Sequence, residues 1–296
     1  MSIFPEGIGI FPYRPACVLR VSGADAGAFL QGQFTNDLSR IDPLETVYGL
    51  WLDRKGRVMA DSHVVRAASG TEYWVVSVSS PGAALARRLE DFIIADEVVV
   101  EDSTPSWAGV ALIGPGAGEW LSGEARAGLL FPGRRYRAEN WEWVHPEADS
   151  GAVMAAVGAG RPLSSLDVER LRIAAGIPSI PADIGPADLP NEGGLDSDAI
   201  SYSKGCYLGQ EVMARVKSLG RVRRTLVRVA GAGAPPRVPA TLWLGDRKEG
   251  ELRSAVTEAG GGYAGLALVS VGAAAAGQPL ALAPAGEPGV VLTRNS

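Results

Sequence analysis

KGCYLGQEVMAR, residues 204–215, puts a thiol in a setting where it could react. Cys206 follows Lys204, stands between Gly205 and Gly209, and precedes the polar pair Gln210-Glu211. A cysteine acts as its thiolate. A neighbouring lysine charge and the N-terminus of a helix over QEVMAR would both favour that form. The glycines let the backbone turn sharply or approach a ligand. A plainer reading stays open, in which Cys206 is a small apolar side chain packed in a turn.

The other thiol, Cys17, reads as a buried strand residue. Two distant cysteines without a CxxC spacing predict neither a disulfide framework nor a cysteine metal site, and no metal ligand set is expected. A cysteine hydrolase needs a histidine base. The chain has two histidines. His63 lies in the strand-like VMADSHVV and is expected exposed or half-buried. His145 stands beside Pro146 and is expected in a loop. Neither has the neighbours of a triad.

Three further features carry weaker signals. Gly114-Pro-Gly116-Ala-Gly118 is rich in glycine but lacks the Lys-Ser/Thr ending of a phosphate loop. WEWVHP (141–146) has rings that could stack on a ligand or pack in a core. The basic run Arg215, Lys217, Arg221, Arg223, Arg224 and Arg228 follows the thiol motif. It reads as a solvated, salt-bridged face or as a docking strip for an anion or RNA phosphate.

The 296 residues carry a net charge of -5, which disfavours a broad nucleic-acid surface. The first residues lack the basic start and apolar run of a signal peptide, and no stretch approaches a membrane span. A cytoplasmic protein without membrane attachment is expected.

Elements must position these residues. ADAGAFLQ (24–31) predicts a short helix. GLWLD (49–53) and RVMADSHVVR (57–66) predict strands around a turn at Arg54-Lys55-Gly56. TEYWVVSV (71–78), EVVVED (97–102) and WAGVALIG (107–114) are strand-like, and PGAALARRLEDFIIAD (81–96) has helical spacing. Ser164 and Asp167 form a capping box for LDVERLRIAA, which Gly176 and Pro178 end. Residues 177–203 make a long connection of the kind that carries function. After Arg224, short β-like runs separated by Gly/Pro turns predict a small all-β unit. The expectation is α+β, with one region over 1–220 and a small all-β unit, sandwich or barrel, over 221–296.

KGCYLGQEVMAR resembles the signature of the folate-binding YgfZ family, K-G-C-aromatic-x-G-Q-E followed by an apolar pair and Ala-Arg. FLQGQFTNDLS (29–39), LDRKGRVMAD (52–61) and ERLRIAAGIP (169–178) are similar to other family segments. Together they span most of residues 25–220. The family is related to the T-protein (aminomethyltransferase) of the glycine cleavage system. The resemblance implies a T-protein-like fold, with interleaved α+β subdomains and a small C-terminal β-barrel around a central opening. It implies tetrahydrofolate as cofactor and iron–sulfur client or assembly proteins as partners, with indirect effects on tRNA modification.

Residue by residue, Asp61 matches the last aspartate of a T-protein G-G-x-x-D-D segment, although Ala60 replaces the first. Glu192 in LPNEGGL matches a pterin-contacting glutamate, and Arg172 an arginine of L-R-x-E-A-G. Cys206 and Asp61 are the candidate catalytic residues. Glu192, Asp61, Arg172, Lys204, Tyr207 and Gln210 are the candidate folate-binding residues. A lone thiol argues against a stably held private cluster. The alternative is a tetrahydrofolate-dependent aminomethyltransferase; whether any turnover occurs is left open.

Overall fold

The computed structural model describes residues 7–39, 41–121, 127–158, 160–220 and 222–293. In chain order these form β1 (Gly9–Tyr13), β2 (Cys17–Ser22), α1 (Ala26–Gln33), β3 (Thr46–Leu52), β4 (Val58–Arg66), β5 (Glu72–Ser77), α2 (Gly82–Glu90) and β6 (Val99–Asp102). Then come β7 (Trp107–Ile113), α3 (Ala117–Leu121), β8 (Leu129–Pro132), β9 (Asn140–Pro146), α4 (Ser150–Val157), β10 (Arg161–Pro162), α5 (Ser165–Ala175) and α6 (Gln210–Leu219). The last elements are β11 (Arg224–Gly231), β12 (Ala240–Leu244), β13 (Arg247–Thr257), β14 (Tyr263–Ser270), α7 (Val271–Ala276) and β15 (Val290–Thr293).

The strands make three five-stranded sheets, in the orders β3-β4-β5-β2-β6, β10-β1-β7-β9-β8 and β12-β13-β14-β11-β15. The chain interleaves the first two, since β1 belongs to the second sheet and β2 to the first. Their faces meet through Val18, Val65, Val76, Leu129, Phe131 and Val144, a set drawn from both sheets. That contact explains the long apolar runs of β4 and β5: both faces of these strands are covered, so alternation fades. The third sheet is antiparallel throughout and curls around its own core of Val229, Leu242, Leu252, Ala267 and Val269.

Local chemistry sets the helix ends. At α5 the Asp167 N–H donates to Ser164 Oγ (3.2 Å), and the Ser164 N–H returns a bond to Asp167 Oδ2 (3.0 Å). Gly176 ends that helix in the left-handed region. Helix α2 is shorter than the 81–96 pattern predicts. It closes at Glu90 with a tight turn in which the Phe92 N–H reaches Leu89 O (3.0 Å). Among the described residues, no helix is long and apolar enough to cross a membrane.

Two histidine expectations are corrected. His145 lies in β9, not a loop, because β9 is hydrogen-bonded to β7 on one side and β8 on the other. His63 is buried rather than half-exposed, because the second sheet covers its side of β4. Its ring stacks on Phe131 with centroids 4.4 Å apart.

Candidate functional site

Three of the sequence segments singled out above clasp one another. Helix α1 ends at Gln33, leaving carbonyls without helical partners. Lys204 closes them from far along the chain. Its Nζ donates to Gln31 O (2.7 Å), Phe34 O (2.6 Å) and Asn36 O (2.8 Å), engaging all three ammonium hydrogens. Burial pushes that ammonium down to about 8, against the pull of Asp37, so it is charged at neutral pH. Thr35 Oγ1 donates to Ala199 O (2.7 Å), and Asn36 Nδ2 donates to Tyr48 O (2.9 Å) and Asp198 O (3.1 Å). The Leu208 N–H reaches Gly32 O (3.2 Å).

The third segment enters through two glycines. Gly209 has φ +86°, and a Cβ there would stand 2.8 Å from Asp53 O. Gly56 has φ +73°, and its absent Cβ leaves room for Val212 and Met213 of α6. Tyr207 and Met213 sink into the core between these segments. Gln210 opens α6, half-buried, with its N–H on Tyr207 O. Cys206 is exposed on the outside of this clasp. Gly209→Ala should therefore cost about 2–3 kcal/mol, read as a lowered urea midpoint. Gly205→Ala, whose Cβ would meet nothing within 4 Å, should cost under about 1 kcal/mol.

A separate cavity of about 220 Å³ lies where the first two sheets and α5 meet. Its walls include Tyr48, Asp61, His63, Arg134, Glu169 and Arg172. Asp61 Oδ1 accepts from Ser77 Oγ (3.0 Å) and Ser80 Oγ (2.6 Å), and Oδ2 accepts from Tyr48 Oη (3.0 Å). Burial drives the Asp61 carboxyl above its ordinary range, against the lowering effect of those hydroxyls and of the Arg134 charge. Burial likewise pushes His63 down to about 3, helped by Arg134, so this ring is neutral. The Arg134 guanidinium lies 4.0 Å over the Tyr48 ring and pairs with Asp198. The cavity thus offers acceptor carboxylates and flat aromatic walls, with the proton affinity of one carboxyl raised.

Of the candidate residues, Asp61 and Arg172 line this cavity. Arg172 is mostly committed to structure. It donates to Asp183 Oδ2 (2.6 Å), Ile177 O (2.7 Å), Glu169 Oε2 (2.8 Å) and Ser254 Oγ (2.9 Å), tying α5 to the third sheet. Glu192 faces a different recess. The Arg224 guanidinium holds both its oxygens (Nε–Oε1 2.9 Å, Nη2–Oε2 2.7 Å), and the Leu189 N–H adds a bond. Lys204, Tyr207, Gln210 and Cys206 belong to the clasp and not to the cavity wall.

The remaining signals resolve locally. The glycine loop 114–118 already holds an anion of the chain itself: Glu139 accepts from the Gly116 N–H (2.8 Å) and the Gly118 N–H (2.6 Å). Trp143 packs in a core with its indole N–H on Ala127 O (2.9 Å). In the basic run, Arg224 faces Asp188 and Glu192, Arg228 donates to Ala174 O, and Arg221 lies outside the described residues. Cys17 is buried in β2, and burial pushes its thiol up to about 12. Sequence reasoning missed Tyr48, Arg134, Arg135 and Glu142. Glu142 left a legible trace as a carboxylate between two tryptophans, and it pairs with buried Arg135 (2.6 Å).

Comparison with known proteins places this geometry. The GCVT N-terminal domain profile matches residues 4–127. The mouse protein "Iron-sulfur cluster assembly factor IBA57, mitochondrial" is 30% identical over 275 residues, covering 85% of this chain and 75% of that one. "tRNA-modifying protein YgfZ" of Edwardsiella ictaluri is 30% identical over 267 residues, covering 82% and 79%. Among solved structures, the glycine cleavage system aminomethyltransferase T of Bartonella henselae superposes with a TM-score of 0.81. The match covers 98% of this chain and 85% of that one at 18% identity, a likeness of fold. The interleaved sheets, the clasped KGCYLGQE segment and these relatives agree, and the chain belongs to the YgfZ/IBA57 family, built on the fold of the T-protein.

Proposed function

We propose that this protein supports the assembly or repair of iron–sulfur proteins, that it binds tetrahydrofolate in the central cavity, and that Cys206 is its working thiol. An effect on tRNA modification would follow through iron–sulfur enzymes, in a cytoplasmic setting. The observation that carries the reading is the division of labour within one motif. Lys204, Tyr207, Gly209 and Met213 anchor the segment inside, while Cys206 is exposed. The names of the relatives support this reading over aminomethyl transfer.

The cavity suits a reduced pterin. A pterin presents a planar ring and an edge of N–H donors. Tyr48 and His63 supply flat faces, and Asp61 and Glu169 supply carboxylates. Three hydroxyls occupy part of Asp61, and a carboxylate has about four lone-pair sites, so acceptor capacity remains. Tetrahydrofolate would supply a carrier for one-carbon units. The chain's own contribution is to bind it, exclude water, and hold a proton at the Asp61 carboxyl more readily than an exposed aspartate would.

Calorimetric titration of tetrahydrofolate tests the cavity. Asp61→Asn should weaken binding by about tenfold, roughly one hydrogen bond to a charged acceptor. Cys206→Ala should leave it unchanged. Wild-type protein that takes up no folate, or an Asp61→Asn variant that binds equally well, would sink the folate part. The thiol is tested separately: in cells lacking this protein, wild type should restore an iron–sulfur enzyme's activity and Cys206→Ala should not.

A further inference from the structure

Exposed cations without a carboxylate partner, which elsewhere stand singly, as at Arg87, Arg223 and Arg237, are grouped on the two segments that adjoin the Cys206 turn. Arg20, Arg134, Arg172 and Arg224 all face carboxylates. Arg54, Lys55 and Arg57 on the β3–β4 turn, and Arg215 and Lys217 on α6, are all exposed. Among the described residues, none of these five has a carboxylate within ion-pairing distance. Arg54 leans toward the Phe92 ring (6.0 Å) and Lys217 lies over the Tyr202 ring (3.8 Å). Asp53, the acid on that turn, bends its Oδ1 back onto the Lys55 and Arg57 N–H groups (both 2.8 Å). Glu211 is the one exposed acid on α6.

The two groups of cations share one patch because the clasp brings them together. Gly209 rests on Asp53 O and Gly56, three residues beyond Cys206 in the chain. Val212 and Met213 pack against Gly56, so the side of α6 that carries Glu211, Arg215 and Ser218 is turned outward. In a protein of net charge -5, four cations without carboxylate partners (Arg54, Lys55, Arg57 and Arg215) on the two segments that adjoin the Cys206 turn build a local positive field, while Lys217, four residues after buried Met213, is turned toward Tyr202.

We propose that this face, made of Cys206, the 53–57 turn and the outer side of α6, is a docking surface for a protein partner whose contact face is acidic. Carboxylates of the partner would meet Lys55, Arg57 and Arg215 and bring its reactive group to Cys206. A protein is favoured over RNA for two reasons. Exposed Leu219 and Met59 add apolar contact of the kind protein interfaces use. The rings nearest these cations, Phe92 and Tyr202, are half-buried under Arg54 and Lys217, and the 53–57 and 210–219 segments carry no other ring on which a base could stack. The proposal deepens the thiol reading above by naming the class of partner, and it does not depend on folate.

Two measurements test it. Cys206 thiolate attacks a disulfide, forming a mixed disulfide and releasing the other half as a thiol. Its rate with a doubly anionic aromatic disulfide, relative to a neutral dipyridyl disulfide, reports the field at the sulfur. Lys55→Glu with Arg215→Glu should lower that ratio by about tenfold at low salt, and salt should erase the difference. An unchanged neutral-probe rate shows that the fold and the thiol are intact, and Cys206→Ser supplies the blank. The second measurement is protection of Cys206 from the neutral probe by an oligoglutamate peptide or by a single-stranded oligonucleotide of equal charge. Protection by the peptide, lost in the double variant, is the expected result. A ratio unchanged by charge reversal overturns the proposal, as does stronger protection by the oligonucleotide. A failed folate titration would leave both measurements standing.

Discussion

Acid should destabilise this protein between pH 6.5 and about 3 by up to roughly 4–5 kcal/mol through His63 alone. His63 is buried against Phe131 (4.4 Å) and Tyr48 (5.1 Å), and the Arg134 guanidinium opposes its protonation. In the unfolded chain the imidazole takes up a proton near pH 6.5; in the folded chain it resists until about pH 3. Between these values the unfolded state binds more protons, so stability falls as pH falls. The slope approaches about 1.4 kcal/mol per pH unit well below 6.5, and the loss is complete once both states are protonated. Carboxylates titrate in the same window, so the test is a difference. Urea unfolding of wild type and His63→Phe should be followed at pH 7, 6, 5 and 4. The variant keeps an aromatic ring on Phe131 and should lose about one proton's worth of pH slope. Equal slopes would mean that His63 is not held neutral by burial.

His63 also marks the limit of what the sequence could reveal. Its neighbours in β4 gave a correct strand, because the run is β-branched and bounded by turn residues. Its burial depends on β8 and β9, more than sixty residues away, and no local pattern encodes that contact. His145 was misread for a related reason. The adjacent Pro146 suggested a loop, but that proline sits at the end of β9, where a missing N–H is tolerated.

Helix and strand positions set by local chemistry were legible: the Ser164–Asp167 box, the Gly176 stop, and the β3–β4 turn. The interleaving of two sheets was legible only through the resemblance to the T-protein fold, since swapping β1 and β2 between sheets leaves no periodic trace. For the site, the segments were visible but the partners of their side chains were not. Lys204 read as a charge that would activate Cys206; it is a cap for a helix whose end lies 171 residues earlier in the chain, at Gln33. Glu192 reads as a ligand contact, and its pairing with Arg224 at the third sheet has no trace in the local sequence. Cavity residues such as Tyr48 and Arg134 come from separate elements and have no shared motif. Only the fold assembles them.

Lys204→Met is the substitution that separates the clasp from the thiol. Methionine matches the length of the lysine stem but brings no donor. The carbonyls of Gln31, Phe34 and Asn36 would then lose their common partner, with Phe34 O in buried surroundings. A hydrogen bond to a charged group contributes about 1.5–3 kcal/mol, and three on one ammonium are not additive. Removing its own burial cost offsets part of the loss. The expected net effect is about 3–4 kcal/mol, a large share of the roughly 5–15 kcal/mol that holds a folded domain. The damage should also be local. Hydrogen exchange should rise at 31–36 and 198–208 well before global unfolding, because those two segments are what the ammonium joins. Lys204→Arg should fail to rescue, since a flat guanidinium fork cannot direct three hydrogens at a converging carbonyl triad as an ammonium does. If the clasp holds the loop in register, Lys204→Met should lose iron–sulfur support in cells while Cys206 is chemically intact. A variant that unfolds within about 1 kcal/mol of wild type and shows no local exchange would return Lys204 to the role its position in the motif first suggested, a charge acting on the thiol beside it.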